Sequence, residues 1–126
     1  MVTGRPWVDP RRRLVGMDEL DGVIAAPDHH KVIFENEIVR VLEIRIVVGD
    51  TAPLHTHLRP TTLYVVSGSH FIRRDEHGAV MLDTRSDPSF VLPRVIYQPT
   101  QPRHTLENTG TDDIVMIGTE LKEPAG

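Results

Sequence analysis

Gly49-Asp50-Thr51-Ala52-Pro53-Leu54-His55-Thr56-His57 is the stretch on which the fold of this chain turns. A glycine–aspartate turn feeds a short extended segment. Its two histidines stand two residues apart, so on a strand both imidazoles leave the same face. Downstream, Thr61 opens the next β-rich segment and Gly68-Ser69 closes it. Much later, Pro99 stiffens a turn ahead of a lone His104, and Asn108 follows it. A third imidazole carried across by a neighbouring strand would complete one face of a metal site.

The bulk composition narrows what surrounds these residues. A chain of 126 residues forms one domain with a real core. With 39% hydrophobic and 25% charged residues, a folded globular chain is the default. A formal charge of -4 argues against nucleic acid or an anionic membrane as partner. There is no cysteine, so metal ligands must be His, Asp or Glu. No apolar run approaches the ~20 residues needed to cross a bilayer. Trp7, Asp9, Pro10 and the Arg11-Arg12-Arg13 run interrupt any signal-peptide pattern, which makes the cytoplasm the expected location. The arginine triplet reads as a solvated stretch of a loose arm.

Along the chain, residues 1–30 form an irregular N-terminal arm, broken by Pro6, Pro10, Gly16, Gly22 and Pro27, with a single helical turn around Met17 to Leu20. Residues 31–121 read as strands, and 122–126 as a tail. The expected strands are 31–35, 39–48, 54–58, 61–67, 70–74, 79–84, 90–92, 95–98, 104–108 and 114–121. Gly68-Ser69, His77-Gly78 and Asn108-Thr109-Gly110 are turn signals at hairpin spacing. Many short strands without a long helix predict an all-β jelly-roll barrel whose closure hides the strand edges.

These residues resemble the cupin superfamily. Its first motif runs G-x5-H-x-H-x3,4-E-x6-G, and this chain supplies Gly49, His55, His57 and Gly68 at that spacing, with Thr61 in the Glu slot. Its second runs G-x5-P-x-G-x2-H-x3-N, matched by Pro99, His104 and Asn108. Gln101 replaces a motif glycine, and Arg94 stands near the leading one. The resemblance covers about residues 31–121. It implies that His55, His57 and His104 bind one divalent metal inside the barrel. Iron is favoured, with Ni, Zn, Mn or Cu open, because imidazole ligands do not discriminate among them. Elsewhere, His29-His30 reads as barrel edge, at the surface or in a subunit contact. His77 belongs to an exposed turn, and His70 faces either way.

Three neutral imidazoles would leave a divalent ion its full charge, favouring an anionic or chelating small-molecule ligand. Thr61 is too short to replace the carboxylate but could hydrogen-bond a metal-bound water. By strand parity Leu63 and Val65 share its inward face, and Leu106 that of His104. On strand 39–48 one face carries Val39, Val41, Glu43, Arg45 and Val47, the other Arg40, Leu42, Ile44, Ile46 and Val48. If the first face lines the barrel, Arg45 meets an anionic substrate group or Glu43. If the second does, both are surface. No carboxylate or spare histidine in the motif set serves as a general base, which favours metal-plus-dioxygen chemistry over hydrolysis or isomerisation. The pattern is similar to three-histidine cupin dioxygenases. The alternatives are a non-catalytic ligand-binding or sensor cupin, or a vestigial site. Cupins commonly pair N-terminal strands, so a homodimer involving residues 31–36 is expected.

Overall fold

The computed structural model describes residues 18–122, so the arginine triplet and Met17 lie outside the described residues. Nine strands follow a 3-10 turn at Asp18–Leu20 and a four-residue helix at Gly22–Ala25. They are β1 (His30–Glu35), β2 (Val39–Ile46), β3 (Thr51–His57), β4 (Thr61–Ser67), β5 (Phe71–Asp75), β6 (Val80–Asp83), β7 (Val95–Gln98), β8 (Gln101–Asn108) and β9 (Ile114–Leu121). One sheet has the order β1-β2-β9-β4-β7 and the other β3-β8-β5-β6, with all pairings between these strands antiparallel. The expected all-β architecture is what forms.

The core lies between the two sheets. One wall is Leu42, Ile44 and Ile46 of β2, Leu63 and Val65 of β4, and Ile114 and Met116 of β9. Ala52, Phe71 and Leu106 face them from the other sheet. On β4 the alternation is strict: Thr61, Leu63 and Val65 are buried, while Thr62, Tyr64 and Val66 are exposed. Period two on a half-buried strand requires this. On β2 it is the Leu42 face that turns inward. Arg45 therefore stands outside with Glu43 3.7 Å away, which removes it from any substrate-lining role.

The turn glycines earn their places by conformation. Gly49, Gly68 and Gly78 have φ of +84°, +144° and +83°, a region that side chains with a Cβ rarely adopt. Pro53 sits in β3, an outer strand of its sheet, where a missing backbone N–H does least harm.

Two expectations fail. Residues 90–92 form no strand, because Asp87 accepts bonds from the Ser89 N–H and hydroxyl and turns the chain, and Pro88 and Pro93 supply no backbone donors. The helix at Gly22–Ala25 falls where only irregular chain was expected. It is held by backbone bonds from Ala25 to Asp21 and from Ala26 to Gly22.

Candidate metal centre

β3 and β8 pair so that His55 lies opposite His104 and His57 opposite Gln101, with register shifts on either side of His55. The resulting rings are close: His55 and His104 have centroids 4.3 Å apart, His55 and His57 4.9 Å, and His57 and His104 5.7 Å. The structure thus brings together the three histidines singled out in the two motifs.

It also adds a fourth. His30, the first residue of β1, is only 4% exposed, and its ring lies 4.7 Å from that of His55 and 5.1 Å from that of His57. This corrects its assignment to the barrel edge. Its neighbour His29 bonds Asp50 at 2.8 Å instead. Single ligand nitrogens of His30, His55 and His57 all lie within 4.8 Å of one another, so these three could hold a metal ion.

The outer nitrogens fix the tautomers. Nδ1 lies 2.6 Å from the Pro53 carbonyl in His55, 2.6 Å from Pro102 in His104 and 3.0 Å from Ala26 in His30. A carbonyl only accepts, so each neutral ring must carry its proton on Nδ1 and keep the Nε2 lone pair free. This is how a metal-ligating imidazole is ordinarily oriented.

Burial keeps these rings neutral. It is the leading cause that lowers His55 to about 3, with the nearby His104 adding to it. It likewise lowers His104 to about 4, against the opposing bond to Pro102 and with help from Arg73. His57 is lowered well below its ordinary value, mainly by burial and then by His55. In the unfolded chain these groups titrate near 6.5, so the sign follows. Their contribution is constant above that pH and is lost as pH falls from about 6.5 towards 4, where only the unfolded state takes up protons. Chemical denaturation of the metal-free protein is expected to show stability falling by up to about 1.4 kcal/mol per pH unit for each imidazole. Because the rings are already neutral at pH 7, metal binding there should release almost no proton. Calorimetry in two buffers of different ionisation enthalpy would check this.

A carboxylate is present after all, though not in the motif. Glu120 of β9 is 1% exposed and pairs directly with Thr61 across the β4–β9 ladder. One of its oxygens lies 4.0 Å from His57 Nδ1. The other accepts from Arg40 Nε at 2.6 Å and has Arg59 at 3.6 Å, while Arg40 also bonds Asp21 at 3.0 Å. Two acids thus face two arginines, and this group leaves the net charge of the site unchanged. Burial disfavours the Arg40 charge, but Glu120 and Asp21 outweigh it and raise its pKa. Sequence reading missed Glu120 because its only signal is an acidic residue at an inward position of a late strand.

The sequence-predicted lining residues divide. Thr61, Leu63 and Leu106 line a cavity beside the histidines, whereas Val65 packs in the core. The Thr61 hydroxyl donates to the Arg59 carbonyl at 2.9 Å, so towards a metal-bound water it could only accept. His70 bonds Thr84 at 2.9 Å, and His77 is solvent-exposed.

Among solved structures, a cupin domain from Bordetella pertussis Tohama I matches with a TM-score of 0.59 at 19% identity, over 75% of this chain and 92% of that one. The fold is that of a cupin. An RmlC-like cupin family protein with a double-stranded β-helix fold from Methanocaldococcus jannaschii has a TM-score of 0.54 at 15% identity, covering 75% and 80%. An uncharacterized double-stranded β-helix protein from Klebsiella pneumoniae has 0.51 at 19%, covering 77% and 74%. No family model and no curated protein matches the sequence significantly. Identities this low establish the fold and leave the activity of this chain to its own residues.

One of those residues is Gly22. A Cβ there would meet His30 and His57 ring atoms at 3.0 Å, so any side chain would press both rings aside. Gly22→Ala should leave stability within about 1 kcal/mol, since alanine is the better helix former. Its metal affinity should fall about tenfold as both rings are displaced, which a chelator competition titration would measure.

Proposed function

We propose that this cupin holds one divalent metal among His55, His57, His104 and His30 and acts with it on a small anionic or chelating organic molecule. The observation that carries this reading is the Nδ1 bonding of three rings to backbone carbonyls, which leaves buried, neutral Nε2 donors in one cluster. Iron remains the favoured ion, with Ni, Zn, Mn or Cu compatible with an all-imidazole set. The metal would supply Lewis acidity and, as iron, the means to activate dioxygen. The protein's part is to hold the tautomers, wall the cavity with apolar side chains and keep the charge of the site high. Glu120 beside His57 and the additional His30 are candidate proton carriers, which weakens the preference for metal-plus-dioxygen chemistry over hydrolysis or isomerisation. The dioxygenase-type assignment therefore rests on the resemblance and the donor set.

A second reading follows from His30. Four imidazoles would saturate a tetrahedral ion, as in closed structural sites, and make this a non-catalytic metal- or ligand-binding cupin. Anaerobic purification, iron reconstitution and oxygen consumption on β-diketones and thiols test both. Oxygen uptake that depends on iron and substrate supports the enzyme. Stoichiometric iron with no uptake supports the binding module, and failure to take up any metal overturns the enzyme and leaves at most a metal-free ligand-binding module.

We also infer a homodimer through β1. It is an outermost strand, and Val32, Ile33 and Phe34 are 37%, 48% and 54% exposed, an apolar strip that a solitary edge strand ordinarily avoids. Ile33→Lys should shift the protein towards monomer in sedimentation velocity, and a dimer of unchanged stability would move the interface elsewhere. Among the described residues no helix is long and apolar enough to cross a membrane.

A further inference from the structure

Among the described residues, Arg73 is the one arginine or lysine that lines the cavity, and the metal centre makes no use of it. It lies on β5, two residues from the buried Phe71 and on the same face, with its guanidinium 5.8 Å above that ring. Its Nε is buried and has no hydrogen-bond partner among the described residues. The neighbouring arginines behave differently: Arg74 bonds Glu107 at 2.8 Å, Arg103 bonds Glu76 at 2.9 Å, and Arg40 has two carboxylates. For Arg73 no acid lies within ion-pair distance among the described residues, and burial alone acts to lower its pKa. Arg73 is half-buried, and a partly desolvated cation with no acid beside it is a site that a ligand carboxylate would satisfy.

The surroundings say what kind of anion. Ten of the cavity's lining residues are Leu, Ile, Phe or Met, and besides the histidines and Arg73 its polar lining is Thr61, Gln98, Gln101 and Glu120. Since Asp21 and Glu120 balance Arg40 and Arg59, and the histidines are neutral, Arg73 is left as a single uncompensated positive charge.

We propose that Arg73 anchors the carboxylate of a small organic acid with an apolar body, whose other end reaches the histidine cluster. The planar guanidinium fork suits a carboxylate bidentately, and the apolar walls favour a hydrocarbon body over a bare oxyanion. This names the ligand class for the proposed function. It rests on reading the cavity as the ligand site, and not on the metal.

The test is calorimetric titration of isovalerate, isovaleramide and inorganic phosphate into the full-length protein, metal-free and zinc-loaded. Isovalerate should bind at least tenfold more tightly than the isosteric amide and than phosphate, in the metal-free protein as well. Arg73→Gln should abolish the preference for acid over amide, and Arg73→Lys should keep part of it. Equal binding of acid and amide, tighter binding of phosphate, or a preference that survives Arg73→Gln would overturn the proposal. Should Arg73→Gln fail to fold, the wild-type protein decides: its Arg73 Nε–H resonance must shift with isovalerate and not with isovaleramide. A protein that takes up no zinc but keeps the preference sinks the metal reading alone. One that binds zinc without the preference sinks this proposal alone.

Discussion

His30→Ala should weaken binding of Zn(II) or Co(II) about a hundredfold, close to the loss from His55→Ala. Apparent binding energies of about 10–16 kcal/mol for four-ligand zinc sites give about 3 kcal/mol per donor, or on the order of a hundredfold in affinity. His30 differs from a passive neighbour in having its Nδ1 committed to Ala26 and its ring against both His55 and His57. Competition titration against a chromogenic chelator measures the change, and the Co(II) visible spectrum reports coordination independently. Unchanged affinity in a folded His30→Ala protein would return the site to His55, His57 and His104. Glu120→Gln bears on the same site more gently. Removing the charge beside His57 should weaken binding by less than the loss of a ring donor, about tenfold at most, because the nearer Glu120 oxygen lies 4.0 Å from His57 Nδ1, beyond hydrogen-bond distance.

Arg40→Met is expected to destabilise the protein by about 3–5 kcal/mol, because it leaves Glu120 charged and buried without its closest counter-ion. Arg40 and Glu120 have side chains only 13% and 2% exposed, so water cannot take over the role of the lost partner. The Arg40→Met, Glu120→Leu double variant should recover much of that loss, since an apolar pair leaves no unpaired charge behind. Denaturant unfolding of the metal-free proteins reads both values. A single-variant loss under about 1 kcal/mol would mean that Arg59, 3.6 Å from the carboxylate, already compensates it. Removal of Glu120 in the double variant should also lower metal affinity, which separates its role at the site from its role in stability.

The legible part of this protein was its local part. Thr61–Ser67 and Ile114–Leu121 form strands over the residues expected, because β-branched composition, alternation and flanking turn residues act over a few positions. His55 and His57 could be placed from their spacing and the Gly49 turn, and Leu63 and Leu106 from parity. The same reasoning could not choose the inward face of β2, where both faces carry aliphatic residues. Period two alone therefore allows Arg45 either in the cavity or at the surface. It also misjudged His30, since a histidine after an irregular segment carries no period that marks it as buried.

The sequence by itself determined the strands, their hairpins and the shared face of His55 and His57, because turn chemistry and period two operate between near neighbours, while His104 was joined to them by the resemblance. Tertiary structure alone decided the rest. His30 meets His55 and His57 only once β1 has docked beside β2, Glu120 meets His57 only through the β4–β9 ladder, and Arg73 has no acid beside it among the described residues. Such contacts join residues far apart in the chain, and no local propensity encodes them. Whether a buried charge is matched depends on every strand facing it, so the apparent lack of a carboxylate at Thr61 and the surplus cation at Arg73 became readable only in the assembled fold.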